Sequence, residues 1–341
     1  MKALAVYQCR LASDPNCFTE IDLDQPQLGA RDLLIRVKAI SVNPVDYKVR
    51  ASIVEKQSTP RILGWDAAGV VEQVGEAVQL FKPGDEVYYA GSLIRPGSNS
   101  EYQAVDERIV GRKPTNLSFE EAAALPLTTI TAWEALFERL AIEPSKTAKN
   151  QASHVLIIGG AGGVGSIAIQ LAKQVAGLQV IATASRPETI EWCQKMGADY
   201  CISHREKKDE LAKLDIQEVD YILCFNDTDG HWKSMAEVIK PQGKICSIVE
   251  TAQPLDLNLI KNKSATFVWE LMFTKSMYAT EDIQSQHDLL NQTAELIEQN
   301  VLKTTMTQSL GSLNAANLAK AHTQLESGKT IGKLVLSGID S

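Results

Sequence analysis

A short apolar run, a glycine-rich turn and an amphipathic segment follow one another near the middle of the chain. Residues 155–158 (VLII) are aliphatic and mostly β-branched, which is typical of a strand buried on both faces of a parallel sheet. Residues 159–165 follow directly, and then Ile167, Leu171 and Val175 recur at helical spacing. The pattern predicts a strand, a tight turn and a helix in immediate succession.

The pattern of hydrophobic and polar residues changes at about residue 129. Residues 1–125 contain short alternating segments separated by Gly, Pro, Asn and Asp, which predicts a β-rich domain. The strands expected there are 2–7, 33–41, 67–74, 86–90 and 100–105. From about Thr129, helical segments alternate with apolar runs, as in a doubly wound α/β domain with a parallel sheet. The helices expected there are 131–139, 166–176, 187–196 and 231–238, and the strands are 155–158, 178–184, 200–202, 219–224 and 244–249.

The pattern in the last part of the chain predicts that the polypeptide runs back into the first domain. The expected elements are a strand over 266–273, helices over 287–300 and 315–325, and a strand over 333–337. This last strand has no βαβ partner beside it in the sequence. We therefore expect residues 1–128 and 274–341 to form one domain around a nucleotide-binding domain over 129–273.

Composition and charge narrow the class of protein. Of 341 residues, 22% are charged and 44% hydrophobic, which is ordinary for a globular chain long enough for two domains. The net charge of −8 and the lack of a Lys/Arg cluster argue against a nucleic-acid partner. No apolar run approaches a membrane span or a signal-peptide core, so we expect a cytoplasmic protein. The six cysteines form no C-x-x-C pair and are expected to be reduced thiols.

The glycine-rich turn carries the first candidate chemistry. Gly160, Gly162 and Gly165 fit the G-x-G-x-x-G spacing, with the required strand and helix predicted on either side. The first N–H groups of a helix have no partners within it and point toward one place, where a pyrophosphate fits. Gly160 would permit the sharp turn, Gly162 the approach of the phosphates and Gly165 close packing of helix on strand. Together with Gly163 and Val164, these glycines are predicted to bind a dinucleotide rather than to form a plain flexible loop.

The end of the next predicted strand bears on the choice of nucleotide. Ser185 and Arg186 lie about twenty residues after Gly165, where an NAD-specific site usually places Asp or Glu for the ribose 2′-OH. Arg binds a 2′-phosphate bidentately with help from a hydroxyl, whereas a carboxylate would repel it. The pair therefore favours NADPH. The structural alternative is that Ser185 caps a helix beginning near Pro187 and that Arg186 is a solvated charge.

With the order of the flanking segments, these motifs resemble the medium-chain dehydrogenase/reductase superfamily, and within it the zinc-independent quinone oxidoreductase-like branch. The resemblance extends over nearly the whole chain. It is carried by NPVDYKVR (43–50), GWDAAGVVEQVG (64–75), FKPGDEVYY (81–89), EEAAALPLTTITAWEAL (120–136), GGAGGVG (159–165), TASRPE (183–188), MGAD (196–199) and GKLVL (332–336).

This resemblance implies a GroES-like (chaperonin-10-like) β domain, a Rossmann domain, and a cleft between them where nicotinamide meets substrate. It also implies a homodimer that joins Rossmann sheets edge to edge, with residues 266–273 matching the strand that does so. The implied activity is hydride transfer from NADPH to a small carbonyl or quinone.

The resemblance also implies that zinc ligands are missing. Zinc-dependent alcohol dehydrogenases of the superfamily have a ligand Cys near the position of Asn43 and a Gly-His-Glu motif where this chain has Gly64-Trp65-Asp66. Trp cannot ligate zinc, and residues 88–110, where a four-Cys zinc lobe would lie, contain no Cys. We therefore predict no zinc. Without a Lewis acid, we expect activated acceptors such as quinones and α,β-unsaturated carbonyls rather than plain alcohols.

Three residues of NPVDYKVR match the wall of the nicotinamide and substrate pocket in the family. Asn43 is implied to hydrogen-bond the nicotinamide ribose or the substrate, and Tyr47 to donate a proton to a developing oxyanion, with Asp46 beside them. The structural alternatives are that Asn-Pro forms a turn, that Asp46 caps a helix and that Tyr47 is half buried. Solvent could then deliver the proton.

Other matches are assigned in the same way. Trp65 and Asp66 would line the substrate pocket, with Trp65 forming an aromatic wall or filling the vacated metal site. Thr131 would pack against the nicotinamide ring or cap a helix, and His204 would lie near the adenosine phosphate or in a surface loop. Lys333 would face the cofactor from the last strand or remain solvated.

Three functions remain open from the sequence. The leading hypothesis is a metal-free NADPH-dependent reductase of quinones or enones. The alternatives are a zinc-type alcohol dehydrogenase and a non-catalytic NADPH-binding sensor or structural protein, because one phosphate-binding loop serves catalytic and non-catalytic proteins alike.

Overall fold

The computed structural model describes residues 1–339, within which no helix is long and apolar enough to cross a bilayer. The strands are β1 (Lys2–Val6), β2 (Thr19–Asp22), β3 (Asp32–Ser41), β4 (Arg61–Ile62), β5 (Ala67–Val74), β6 (Glu86–Tyr89), β7 (Tyr102–Asp106), β8 (Val110–Arg112), β9 (His154–Ile158), β10 (Gln179–Thr183), β11 (Tyr200–Ile202), β12 (Val219–Cys224), β13 (Ile239–Ser247), β14 (Thr266–Trp269), β15 (Met306–Ser312) and β16 (Lys333–Ser337).

The helices are α1 (Pro44–Ser52), α2 (Phe119–Ala123), α3 (Pro126–Trp133), α4 (Ala148–Gln151), α5 (Gly163–Gln170), α6 (Pro187–Met196), α7 (Lys207–Ala212), α8 (Thr228–Val238), α9 (Asn258–Lys261), α10 (Thr274–Tyr278), α11 (Ser285–Glu298) and α12 (Ala315–Glu326). Two π-helical segments continue α3 and α5, over Glu134–Arg139 and Leu171–Ala176, and a 3₁₀ turn covers Glu107–Ile109. The chain separates into two compact units, one of residues 1–130 with the segment from Phe273 onward, and one of residues 131–272.

The first unit, termed the β unit, is built on two sheets. One has the order β15-β16-β3-β5-β6-β8, with β7 also pairing to β3, and the other has the order β2-β1-β4. The longest strand, β3, exposes only Arg36 and Lys38, because sheet neighbours and the core cover its remaining side chains.

The last strand, β16, lies inside the larger sheet. It pairs in parallel with β15 and antiparallel with β3, where Val335 lies opposite Ser41. Leu334, Val335 and Leu336 are buried by these neighbours. The sequence pattern does not predict β15, because its residues are mostly polar and exposed.

The second unit, termed the α/β unit, contains one parallel sheet in the order β11-β10-β9-β12-β13-β14. This is the strand order of the doubly wound dinucleotide-binding fold, and the direction of winding reverses between β9 and β12. The apolar run of β9 is buried at the centre of the sheet, where Leu156 and Ile158 share a core with Trp232 and Met235 of α8. The predicted fold class, a doubly wound parallel sheet with a β-rich domain, is confirmed.

Element bounds agree with the sequence at β5, α6, β11, β12 and β16, and differ elsewhere. The strand predicted over 266–273 is wrong in length, since β14 ends at Trp269 and α10 begins at Thr274. The helix predicted over 131–139 begins earlier, at Pro126, because proline is well tolerated in a first helical turn.

Candidate functional site

The loop between β9 and α5 is packed so closely that glycine is needed at several positions. A Cβ on Gly165 would come within 2.3 Å of the Gly159 carbonyl oxygen, and one on Gly160 would lie 2.8 Å from the Cβ of Ala182 on β10. The sharp turn itself is made by Gly159, whose φ is 85°, rather than by Gly160 as predicted. Gly160 and Gly165 therefore serve packing.

Gly162 has a different surrounding. It occupies the N-cap position of α5, and a Cβ there would meet only the Gly159 oxygen, at 3.5 Å. Gly163 and Val164 form the first turn of the helix and are, like Gly162, only partly buried. The backbone N–H groups of this turn are thus open to a ligand, and a pyrophosphate is the kind of anion that such a helix start accommodates. These residues fit a dinucleotide.

Two residues that the sequence patterns do not single out enclose this loop. The Gly159 N–H donates to the Thr183 hydroxyl, at the end of β10, over 3.0 Å. On the other side, a Cβ on Gly159 would lie 3.4 Å from the Cβ of Asn226, in the loop after β12. The loop therefore sits where the sheet reverses its winding, which is where open α/β sheets bind ligands.

Ser185 and Arg186, the two residues predicted to favour NADPH over NADH, follow β10. Arg186 occupies the N-cap position of α6, and Ser185 lies exposed before it, so a Ser185 cap is wrong. The Arg186 guanidinium forms an ion pair with Glu188 over 3.3 Å at a largely exposed position. A 2′-phosphate bound here would compete with Glu188 for that guanidinium. His204 lies exposed in the loop after β11.

Thr131 lies in the second turn of α3 and is buried. Since the helix begins five residues earlier, at Pro126, the explanation of Thr131 as a helix cap is wrong. Its position against nicotinamide stays a prediction.

A buried polar cluster in the β unit joins segments that are far apart in sequence. The Lys333 ammonium donates to the Asn43 side-chain oxygen at 2.6 Å and to the Val42 carbonyl at 2.9 Å, and it pairs with Asp66 at 3.0 Å. The Asn43 side-chain N–H donates to the same Asp66 oxygen at 3.0 Å, and the Leu127 N–H donates to the other. Lys333 is therefore not solvated, and the three side chains of the cluster form a closed network.

Asn43 is held inside this network by both ends of its amide. Its oxygen accepts from Lys333 and its nitrogen donates to Asp66, and it is 1% exposed. The arrangement favours an anchoring role at the start of α1 over direct hydrogen bonding to ribose or substrate.

Asp46 and Tyr47 follow on α1. One Asp46 carboxylate oxygen accepts from the Asn43 backbone N–H at 2.5 Å, which is the helix cap that the sequence left open. The other oxygen is buried without a partner among residues 1–339. Burial raises the pKa of Asp46 to about 7, although the Asn43 N–H and Lys333 lower it, and burial also raises the pKa of Asp66. Tyr47 is half buried, and no hydrogen bond in the described residues engages its hydroxyl.

Trp65 is completely buried in the β unit. Its indole N–H donates to the Ser92 carbonyl at 3.0 Å, and its ring meets Phe273 edge to face at 6.4 Å. These contacts favour the space-filling role over an aromatic wall exposed to substrate.

Comparisons with known proteins agree with this architecture. Residues 29–115 match the alcohol dehydrogenase GroES-like domain and residues 196–336 match a zinc-binding dehydrogenase domain. A zinc-type alcohol dehydrogenase-like protein of Staphylococcus epidermidis is 44% identical over 99% of both chains. A putative zinc-dependent alcohol dehydrogenase from Rhizobium etli is 46% identical, with a TM-score of 0.94 over 100% of this chain and 99% of that one.

The chain belongs to the medium-chain dehydrogenase/reductase superfamily. Its quinone oxidoreductase-like branch is indicated by the quinone oxidoreductase of Coxiella burnetii, 28% identical with a TM-score of 0.78 over 98% of both chains. A chloroplastic NADPH-dependent alkenal/one oxidoreductase of Arabidopsis thaliana is 31% identical over 93% of this chain and 75% of its own.

The zinc in several names of this superfamily does not fit the donors found here. Trp65 stands in place of a His ligand, and both Asn43 and Asp66 are engaged by the Lys333 ammonium, which would repel a metal cation. Within residues 1–339, no three His, Cys, Asp or Glu side chains lie together as metal ligands.

Proposed function

We propose that the chain is an NADPH-dependent reductase that transfers hydride to a quinone or an α,β-unsaturated carbonyl compound without a metal. The observation that carries this proposal is the cluster in which the Lys333 ammonium bridges Asn43 and Asp66. These two residues stand where zinc-dependent members of the superfamily have zinc ligands, and here they bind a lysine side chain instead. Without a Lewis acid, polarisation of the acceptor depends on hydrogen-bond donors, and acceptors that already stabilise negative charge need the least help.

Support for the nicotinamide cofactor comes from the α/β unit. The first-turn backbone of Gly163 and Val164, with Gly162 at the N-cap, would hold the pyrophosphate, while Gly160 and Gly165 keep helix and turn close together. The names of the Arabidopsis and Coxiella proteins agree with NADPH as donor and with enones and quinones as acceptors.

NADPH rather than NADH is proposed because of Ser185 and Arg186. A guanidinium and an exposed hydroxyl follow β10, where an NAD-specific site would carry a carboxylate for the ribose. The 2′-phosphate would take over the contact that Glu188 makes with Arg186 in the free chain. His204 would flank the adenosine.

The nicotinamide ring supplies the hydride when the cofactor is bound, and Thr131 is proposed to pack against it. Tyr47 is proposed to donate its phenolic proton to the substrate oxygen as charge builds there, since no group within residues 1–339 is hydrogen-bonded to its hydroxyl. Asp46 and Asn43 fix the start of α1 and so set the position of Tyr47. A pKa of about 7 lets Asp46 carry a proton near neutral pH.

A homodimer through β14 belongs to the same proposal. This edge strand pairs with β13 on one side, and its last residue, Trp269, and Leu271 just after it are 45% and 50% exposed. Light scattering of the purified protein should give twice the chain mass of 37.3 kDa. A monomer across the concentration range would contradict this part alone.

The decisive experiment is NADPH consumption with a 1,4-quinone, a 2-alkenal and a saturated ketone, each with and without EDTA, together with zinc analysis. We expect turnover of the first two acceptors, little of the third, no effect of EDTA and no stoichiometric zinc. Tightly bound zinc with EDTA-sensitive alcohol oxidation would instead indicate a zinc-type alcohol dehydrogenase. NADPH binding without turnover of any acceptor would indicate a non-catalytic NADPH-binding protein.

A further inference from the structure

Lys207, the first residue of α7, is a buried ammonium in the α/β unit. It is 2% exposed. Its Nζ donates to the His204 carbonyl at 2.7 Å, to Nδ1 of His231 at 3.0 Å and to the Ser234 hydroxyl at 3.2 Å. The three protons of the ammonium thus reach three acceptors from two segments, the loop after β11 and helix α8.

All three acceptors are neutral, which is unusual for a buried charge. Within residues 1–339, Lys207 forms no ion pair with a carboxylate in contact, and the charge of Asp227 acts on it only from a longer distance. Burial lowers the pKa of Lys207, and burial and Lys207 together lower the pKa of His231 to about 4, so its imidazole is the neutral acceptor that this bond requires. Burying an ammonium without a carboxylate in contact is costly. Because burial of the Lys207 ammonium costs folding free energy, we expect this residue to have a role in function.

The two segments that Lys207 joins also contain strained backbone. Glu206 and Asp227 have φ angles of 51° and 42°, in the left-handed region that non-glycine residues avoid. Each occupies the N-cap position of its helix, α7 or α8, in the loop that follows β11 or β12. Strain of this kind persists only where surrounding contacts hold it, and Lys207 supplies such contacts to both segments.

These segments lie on either side of the glycine loop. In the sheet order β11-β10-β9-β12, the loops after β11 and β12 flank the strands whose ends carry the nucleotide motif. The loop after β12 also lies beside the glycine loop, since a Cβ built on Gly159 would be 3.4 Å from the Cβ of Asn226. Lys207 therefore ties His204 to the wall of the crevice in which a doubly wound sheet binds the adenosine half of a dinucleotide.

We propose that Lys207 is a positioning residue for the adenosine half of the nucleotide. This inference rests on the proposed function, since it requires that the crevice binds a nicotinamide dinucleotide. The ammonium holds the loop after β11 against α8 in the shape that receives the adenosine. It acts through His204 and α8 and is not assigned a contact with the 2′-phosphate.

The test is nucleotide affinity, measured by fluorescence titration of the full chain with NADPH, NADH and 2′,5′-ADP. Lys207→Met should weaken all three by a similar factor, roughly three- to tenfold, the size of one or two lost hydrogen bonds. The kcat at saturating NADPH should stay unchanged. Lys207→Gln, which keeps a donor toward the His204 carbonyl, should recover part of the affinity. Lys208→Met, at an exposed lysine next in sequence, is the matched control and should leave all affinities unchanged.

Several outcomes would overturn the proposal. Unchanged affinity with a lowered Tm would make Lys207 purely structural, and a loss confined to NADPH and 2′,5′-ADP would assign it to the 2′-phosphate instead. If Lys207→Met is insoluble, Lys207→Gln decides alone, and full affinity in that variant would count against the proposal. Wild-type protein that binds none of the three probes would refute the proposed function itself, which separates the two failures.

Discussion

The two candidate regions, one in each unit, differ in the groups that build them. In the α/β unit the nucleotide is to be held by backbone groups of one continuous loop, 159–165, whose glycine spacing and helix start are local in sequence. In the β unit the corresponding feature is a side-chain cluster, in which Lys333 bonds Asn43 across 290 residues of sequence. A local motif is visible in the sequence, whereas a cluster becomes visible only when its strands are paired.

The difference also predicts how each part responds to mutation. A backbone site is altered mainly by changes in shape or by the few side chains at its rim. A buried cluster of charges is altered by the loss of any one member, because the remaining charge stays buried without compensation. Mutations in the buried cluster should therefore have larger effects than mutations at the rim of the glycine loop.

Removing the central cation of the cluster should have the largest effect. Lys333→Met keeps the length of the side chain but leaves Asp66 without its ion pair at a fully buried position. Breaking a buried pair in this way typically costs about 3–5 kcal/mol of unfolding free energy. Urea unfolding of the variant should show a loss of this size.

Two variants sharpen that measurement. Lys320→Met changes an exposed lysine of α12 and should stay within about 0.5 kcal/mol of wild type. Combining Lys333→Met with Asp66→Asn should recover much of the loss, because the uncompensated carboxylate is then gone. Wild-type stability in Lys333→Met alone would show that the cluster does not stabilise the β unit.

The next effect concerns the proton donor that the cluster positions. Tyr47→Phe should lower kcat by roughly tenfold to a thousandfold while changing KM little, since a proton donor acts mainly in the transition state. Quinones should suffer less than enones, because their reduced oxygen is stabilised by the ring. Tyr278→Phe, at a 75% exposed position, is the control. An intact kcat with both acceptors would assign proton delivery to solvent.

The rim of the nucleotide site should show a smaller and more selective effect. Arg186→Ala should raise the KM for NADPH by the factor that corresponds to a lost binding free energy on the order of 2 kcal/mol, as expected for hydrogen bonds to a charged group. The KM for NADH should stay nearly unchanged. Glu188→Gln removes the ion-pair partner of Arg186 and should keep or lower the KM for NADPH. Equal changes for both cofactors in Arg186→Ala would argue against a 2′-phosphate contact.

A pH dependence of stability is also expected within the α/β unit. Glu270, just after β14, is buried beside Glu134, and its Oε2 accepts from the Arg139 Nε at 2.7 Å. Burial and the Glu134 charge raise the pKa of Glu270 to about 9 from an ordinary value of 4.5. Between pH 4.5 and about pH 9, the Glu270 carboxyl is therefore protonated in the folded state and ionised in the unfolded state. Its contribution to the free energy of unfolding falls as the pH rises through this range.

Glu270→Gln should remove that dependence. The unfolding free energy of the variant relative to wild type should increase from pH 5 toward pH 9, with a slope of at most about 1.4 kcal/mol per pH unit. Glu281→Gln, at an exposed position, should give a difference that is flat with pH. A flat difference for Glu270→Gln as well would mean that this carboxyl titrates normally.

The sequence by itself determined the fold class and the place of the nucleotide loop. Both depend on local patterns: an apolar run long enough to be a buried strand, glycines at fixed spacing, and a helix start directly after them. The bounds of β5, α6, β11, β12 and β16 could be predicted for the same reason. The strand β15 could not, because its exposed polar residues take their place from pairing with β16 and not from their own pattern.

Only the tertiary structure decided which polar side chains meet. Lys333 looked like a surface lysine, yet β16 inserts beside β3 and brings its ammonium to Asn43 and Asp66. Lys207 carried no motif at all, and its role emerges from the packing of α7 against α8. Sequence patterns report short-range preferences of the backbone and of hydrophobic faces. The partners of a buried charge are chosen by strand pairing and helix packing over long separations, and no local pattern contains that information.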